Sequence, residues 1–197
     1  MDVTVTTCTG ADLKRTLDDL ARLRIEVFRD WPYLYDGDLD YERKYLSTFA
    51  ASKDAVVVVA RDSDTVVGAS TASPLANHFQ DFAEPFLQAN LDLDEYFYFG
   101  ESILLPRYRG QGIGVRFFEL REAAAIQRGF RKTVFCGVVR NANHPQRPAD
   151  YTPLDDFWVN RGYRRMEGVI AEFPWKEVGD DHETSHPMQF WMKQLSH

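Results

Sequence analysis

The stretch ESILLPRYRGQGIGV, Glu101 to Val115, decides the fold. It begins inside an apolar and aromatic run of β character, Tyr96–Leu105, which ends at Pro106. Three glycines follow at alternate positions, Gly110, Gly112 and Gly114. A helical pattern then runs from Gly110 to Gln127 and stops at Gly129. A strand, a glycine-rich turn and a helix in that order leave several backbone N–H groups unpaired at a helix N-terminus, where the helix dipole also favours an anion. Glycines let the backbone come close to a phosphate and take unusual φ values. Arg107, Arg109 and Arg116 add positive charge beside the turn. The physical reading is a phosphate or pyrophosphate cradle. It is not a P-loop, because the one Lys-Thr pair, Lys132–Thr133, comes after the helix. It is not a dinucleotide fingerprint either, because Gly110-x-Gly112-x-Gly114 has the wrong third spacing and lies past the middle of the chain.

Working outward, Val3, Val5 and Thr7 suit a first strand, and Leu13, Leu17, Leu20, Leu23 and Val27 recur at helical spacing. That helix should end near Arg29, ahead of Pro32, and Trp31–Asp40 reads as a loop. Tyr41–Ser52 reads as a second helix, and Val56–Arg61 with Val66–Ala72 as a hairpin turning at Asp62–Asp64. Pro74–Asn90 holds a short helix around Asp81–Gln88. After the central unit come a strand at Lys132–Arg140, an irregular proline-rich segment at Asn141–Pro153 and a short helix at Leu154–Asn160 closed by Gly162. Strands at Tyr163–Ile170 and Met188–Lys193 finish the chain. Hairpins combined with one strand–helix–strand unit predict a single-domain α/β layer structure spanning residues 1–197.

Composition bounds the function. The 197 residues are 44% hydrophobic and 14% aromatic, enough for one sizeable core and too much for a disordered chain. A net charge of −7 argues against a general nucleic-acid or anionic-membrane surface, and leaves room for a cationic partner. Two cysteines, Cys8 and Cys136, are too few for a disulfide scaffold and fit a reduced cytoplasm. The opening MDVTVTTCTG has no basic start and no apolar stretch, so no secretory signal is expected, and the longest strongly apolar run, Ala55–Ala60, is far short of a membrane span. The five histidines, His78, His144, His182, His186 and His197, are scattered, and no spacing suggests a metal.

Arg109-Gly110-Gln111-Gly112-Ile113-Gly114 resembles the R/Q-x-x-G-x-G/A motif of the GNAT superfamily of N-acetyltransferases. The strand before it, the helix after it and the strand Thr133–Val139 are similar to that superfamily's central unit, and Gly162–Tyr163 resembles its recurrent Gly-Phe or Gly-Tyr pair. The resemblance covers the chain in order, with the central motif the specific part. It implies a mixed, mostly antiparallel sheet with helices on both faces and a splayed central strand pair. It implies acetyl-CoA as co-substrate and no metal. The pyrophosphate would sit on Arg109, Gly110, Gln111, Gly112, Ile113, Gly114 and Val115, and the pantetheine would pair like an extra strand with Ile103, Leu104 and Leu105. Asn141 or Asn143 is placed to touch the CoA arm, although Asn141 is equally a turn residue with an Asx bond.

The same resemblance implies direct transfer, in which a neutral amine attacks the thioester. Glu101, a charged residue inside FYFGESILL, is the candidate base, or else a carboxylate paired with an arginine in the sheet. The family's acid, a Tyr four residues before the Gly of the Gly-Phe pair, is replaced here by Trp158, which cannot serve. Tyr151 or Tyr163 could substitute, or the thiolate could leave unassisted. Tyr33, Tyr35 and Asp36, in the loop Trp31–Asp40, could hold a cationic amine, or the loop could be a solvated one with an aromatic anchor. The expectation is a cytoplasmic acetyltransferase acting on the primary amine of a small molecule. The alternatives are a non-catalytic acyl-CoA sensor and a protein N-terminal or lysine acetyltransferase. No nucleic-acid or membrane partner is expected, and a homodimer is left open.

Overall fold

The computed structural model describes residues 3–52, 54–77 and 80–196, so His78 and His197 lie outside the described residues. Its elements run β1 (Val3–Cys8), α1 (Gly10–Phe28), α2 (Leu39–Ala50), β2 (Val56–Asp62), β3 (Thr65–Pro74), α3 (Gln80–Gln88), β4 (Tyr96–Leu104), α4 (Ile113–Gln127), β5 (Lys132–Val138), α5 (Asp155–Val159), β6 (Arg164–Lys176) and β7 (Glu183–Gln194). Among the described residues seven strands form one sheet in the order β1-β2-β3-β4-β5-β7-β6. Each neighbouring pair is antiparallel except β4 with β5, the product of the strand–helix–strand unit. The expected mixed, mostly antiparallel α/β sheet is therefore what the chain forms.

Burial explains the order of layers. Val56 to Ala60 of β2 are fully buried, because both faces of this inner strand are covered. Leu13, Leu20 and Leu23 turn one stripe of α1 into the core, and Leu46 and Phe49 do the same for α2. Asp38 caps α2, accepting a hydrogen bond from the Tyr41 N–H at 2.8 Å. Alternation along β4 gives the two faces. Phe97 and Phe99 meet Phe130 and, on α4, Phe118. Tyr98 meets Phe82 of α3 on the other side.

Two features of the sheet build the site. First, β4 and β5 pair over only three residues, Tyr96 with Lys132, Phe97 with Thr133 and Tyr98 with Val134. Beyond them β4 stays with β3 and β5 with β7, so the central pair splays apart. Second, the β3–β4 register slips between Ser70 and Ala72, which inserts an extra residue into β4 at Gly100–Glu101. The bulge reverses the alternation, so Glu101 follows Tyr98 onto the α1 face while Ser102 returns to the α4 face.

The last hairpin corrects the sequence reading. Strands expected at Tyr163–Ile170 and Met188–Lys193 extend to Arg164–Lys176 and Glu183–Gln194. Pro174 and Pro187, which disfavour strand by sequence, are paired with Ser185 and Glu172. The irregular segment at 141–153 and the short α5 form as expected.

Candidate active site

At the mouth of the splayed pair the chain leaves β4, makes one tight turn at Pro106–Tyr108 and enters α4 through the three glycines. Helix starts at Ile113 rather than Gly110, because Gly110 and Gly112 hold φ of +74° and +80°, the left-handed region. A Cβ on either would meet nothing within 4 Å, so open space lies over the loop. The first bond of α4 is donated by the Arg116 N–H to the Gly112 carbonyl at 3.1 Å, which leaves the N–H groups of Ile113, Gly114 and Val115 without a partner inside the helix. This is a fit for a phosphate or pyrophosphate: N–H groups without a helical partner, a helix dipole and open space over Gly110 and Gly112, with Phe157 beside Gly114. The loop is braced internally. Arg109 Nε donates to the Leu104 carbonyl at 3.1 Å and Gln111 Nε2 to the Arg107 carbonyl at 3.2 Å. Arg116 already pairs with Glu119 at 3.0 Å, so less of its charge is free for an anion. Ile113 has its side chain in the core and offers only its backbone.

The edge of β4 corrects part of the expectation. Leu105 donates its N–H to Val67 at 3.0 Å, and by register Ile103 lies opposite Ala69 as the next hydrogen-bonded pair. The backbone groups of Ile103 and Leu105 are therefore spent on β3. Ser102 and Leu104, one residue out of step, turn theirs toward the gap left by β5.

Glu101 sits where the strands part, with only 4% of its side chain exposed. Gly100 makes the bulge possible, since a Cβ there would collide with Thr71 Oγ1. Thr71 Oγ1 accepts the Glu101 N–H at 3.1 Å. From the opposite face Arg121, itself buried, donates to the carbonyls of Thr71 (3.3 Å) and Glu101 (3.4 Å) and to Ser102 Oγ (2.8 Å). Its guanidinium lies over Phe99 and Phe118, and burial pulls its pKa down to about 10. The bulge is thus fixed at its N–H by Thr71 and at its carbonyl by Arg121.

The Glu101 carboxylate takes an ion pair from Arg24 Nη1 of α1 at 2.6 Å. Arg24 Nε pairs simultaneously with Glu42 of α2, whose side chain is wholly buried. Burial would weaken the Arg24 charge, but Glu101 and Glu42 outweigh it and hold the guanidinium firmly cationic. For Glu101, burial pushes the pKa up, Arg24 opposes this and Glu42 reinforces it, and the net shift is upward. Glu101 thus pairs with an arginine, and its carboxylate lies where β4 and β5 part with a raised proton affinity.

Tyr33 and Tyr98 feel this carboxylate directly, and further aromatics pack around them. Tyr33 packs on Phe28 and Trp175, and its phenol is raised chiefly by burial, in the field of Cys136, Arg24, Tyr151 and Glu101. Tyr35 is raised by burial and then by Glu42. Tyr98 shares a hydrogen bond with Cys136 Sγ at 3.3 Å, and burial pushes that thiol up to about 12. Tyr151 stands edge-on to Trp31 at 5.8 Å, and partial burial raises its pKa. The loop carrying Tyr33 is clamped by Arg140, which donates to the carbonyls of Pro32 (2.6 Å) and Tyr33 (2.8 Å), and by Trp175 Nε1 to Tyr33 at 3.0 Å.

Three expected residues fall elsewhere. Tyr163 faces the α4 side, ringed by Phe99, Phe118 and Phe135, with its hydroxyl bound to Thr133 (2.9 Å) and Glu122 (3.0 Å). Burial raises its pKa well above normal, and both its partners are structural, so it is corrected from candidate acid to core. Asp36 is held by Lys176 at 2.7 Å and Arg29 at 3.4 Å, which lowers its pKa and occupies its carboxylate. It is corrected from amine ligand to surface ion pair. Asn141 Oδ1 accepts the Asn143 N–H at 2.9 Å, the Asx-turn alternative, so only its amide nitrogen remains to donate. Trp158 packs against Phe135 and Trp191 and fills the space over Gly137, where a Cβ would approach it to 2.8 Å.

Arg24, Glu42, Tyr98, Cys136 and Arg140 were not picked out by sequence. A signal for the first two existed. Arg24 sits four residues after Leu20, and Glu42 four before Leu46, so each occupies an apolar-stripe position with a charge. Among the described residues no group of three or more His, Cys, Asp or Glu side chains could hold a metal ion, and no helix is long and apolar enough to cross a membrane.

Comparison with known proteins agrees with this geometry. A sequence profile of the Acetyltransferase (GNAT) family matches residues 19–149. No curated protein matches the chain by sequence. Among solved structures, yncA from Salmonella typhimurium with its cofactor acetyl-CoA is 13% identical, with a TM-score of 0.61 over 100% of this chain and 96% of that one. The ribosomal-protein-alanine N-acetyltransferase of Brucella melitensis is 15% identical, with a TM-score of 0.62 over 98% and 99%. The PaiA N-acetyltransferase of Thermoplasma acidophilum in complex with coenzyme A is 11% identical, with a TM-score of 0.55 over 99% and 100%. Identities this low speak for the shared fold alone.

Proposed function

Because the chain belongs to the GNAT acetyltransferase family, we propose that it moves an acetyl group from acetyl-CoA to the primary amine of a small molecule by direct attack in a ternary complex. The observation that carries the reading is the glycine loop with open space above it, set beside a strand pair that parts at a buried carboxylate. The N–H groups of Gly110 to Val115 would hold the pyrophosphate, with Arg109 bracing the loop. The edge at Ser102 and the Leu104 N–H would pair with the pantetheine arm, the Leu104 carbonyl being held by Arg109. Acetyl-CoA supplies the activated acetyl thioester.

The chain's own residues do the rest. Glu101 takes a proton from the incoming ammonium, leaving the nitrogen lone pair free to attack. Its raised proton affinity makes it a stronger base than an ordinary carboxylate. Tyr33 and Tyr151 offer aromatic faces and hydroxyls that would position a cationic amine, and Tyr151 is the candidate donor to the leaving thiolate. The free, buried thiols of Cys8 and Cys136 support a cytoplasmic setting.

Incubation with acetyl-CoA and a panel of small primary amines tests the reading. Amine-dependent release of free thiol is expected, and a protein with no CoA affinity by calorimetry would sink it. Trp158, in place of the family tyrosine, favours a second reading, an acyl-CoA sensor. That reading predicts CoA binding with no turnover in the unaltered protein.

A further inference from the structure

One guanidinium serves two buried carboxylates in this site, and only one of them borders the cleft. Arg24 pairs with Glu101, at the splay of β4 and β5, and with Glu42, whose side chain has no exposed surface and cannot touch any ligand. Every element around Glu101 brings a group to it: Arg24 from α1, Glu42 and Tyr45 from α2, Tyr33 from the loop after α1, Thr71 from β3, Tyr98 from β4 and Arg121 from α4. Tyr35 joins Glu42 and Arg24, while Cys136 and Tyr151 lie beside Tyr33. Arg121 works from the other face and bonds the main-chain carbonyl of Glu101 rather than its carboxylate, so its field is a constant background.

We propose that Glu42 is a positioning residue: it is the permanent counter-ion of Arg24 that leaves Glu101 free to accept the proton of the attacking amine. The inference rests on the acetyl-transfer reading above. In the step, an N–H bond of the substrate ammonium breaks and an O–H bond forms on a Glu101 oxygen. The electron pair stays on nitrogen, and ammonium plus carboxylate become neutral amine plus carboxylic acid. Arg24 loses its Glu101 partner in that instant and would be a buried, unpaired cation, the costliest arrangement for an ion in a protein interior. Glu42 prevents this, because the Arg24–Glu42 pair persists through the proton transfer. Without Glu42, the whole of the Arg24 charge would fall on Glu101 and hold it ionised.

Glu42→Gln keeps the shape and removes the charge. The acid limb of amine-dependent thiol release should move to lower pH by roughly one unit or more, as for a carboxylate given sole use of an arginine. The plateau rate should fall by roughly three- to tenfold per unit of that shift, because a weaker base abstracts the proton less well. CoA affinity should stay unchanged. Arg24→Met in the Glu42→Gln background removes the stranded cation, and should bring the limb back to the wild-type position or above it. A merely structural role predicts that the second substitution makes matters worse. This double variant also carries the test if Glu42→Gln alone does not fold. Carbon-13 NMR of the Glu101 carboxyl in the free protein reads the same titration without any turnover. An unmoved Glu101 titration in Glu42→Gln, or a double variant whose limb stays below wild type, overturns the inference even in an active enzyme. A wild-type protein that releases no thiol with any amine overturns the acetyl-transfer reading instead, while the NMR arm still reports whether Glu42 controls Glu101.

Discussion

Replacing Gly112 with aspartate perturbs the proposed phosphate cradle at its centre while sparing the packing. Gly112 caps α4 at φ +80°, and a Cβ there would meet nothing within 4 Å. The folded protein therefore loses only what a non-glycine residue costs in the left-handed region, about 1 kcal/mol. For a chain of this size that lowers Tm by about 2–4 °C. Ligand binding suffers far more. A carboxylate placed about 4 Å from a phosphate charge is repelled by about 4 kcal/mol at an effective dielectric near 20. Screening by physiological salt reduces this by about half, and the remaining ~2 kcal/mol is roughly a thirty-fold loss of affinity. Gly112→Ala carries the same backbone strain without the charge and separates the two effects. Calorimetric titration of CoA into the three proteins, beside their melting curves, reads both quantities. If Gly112→Asp binds CoA as tightly as wild type, the pyrophosphate does not lie on this loop.

Four further outcomes follow from the site. Glu101→Gln should slow amine-dependent thiol release by roughly 10²–10⁴-fold with CoA affinity unchanged, as removal of a general base does, and calorimetry with a thiol assay measures both. Because the Glu101 pKa is raised on folding, the native state holds a proton that the unfolded chain has released. Stability should therefore fall as pH rises from the ordinary carboxylate range through the raised value, and Glu101→Gln should flatten that part of a Tm-against-pH curve. Arg121→Met strands the buried Thr71 and Glu101 carbonyls, while the exposed Ser102 hydroxyl can turn to water; at about 1–3 kcal/mol per unsatisfied buried group, partly offset by removing a buried cation, a net loss of about 2 kcal/mol is expected in urea unfolding. Tyr163→Phe should cost about 1 kcal/mol of stability and leave turnover within roughly two-fold, since its hydroxyl serves only Thr133 and Glu122.

What was legible in the sequence was whatever local chemistry dictates. Alternate glycines between a β-prone run and a helical stretch have few other uses, and the strand, loop and α4 follow in that order, with α4 starting three residues later than the pattern put it. What was not legible depended on tertiary placement. The bulge at Gly100 flips Glu101 relative to its neighbours, and nothing in strict alternation announces a slip of one residue. The same parity decides that Ser102 and Leu104, rather than Ile103 and Leu105, present the free edge. Arg24 and Glu42 read as ordinary helix charges, because a buried ion pair is made by two helices meeting, which neither helix reveals alone. Tyr163 and Asp36 have the right chemistry for the roles first considered, but their hydroxyl and carboxylate are already engaged by partners distant in the chain or outside the site.

The account stands most directly on one time course. The protein is mixed with acetyl-CoA and a panel of small primary amines, free thiol is followed, and the amine is analysed for acetylation. The account predicts thiol release that depends on the amine and matches the N-acetylated product one for one. Saturable CoA binding with no amine-dependent thiol release would contradict it.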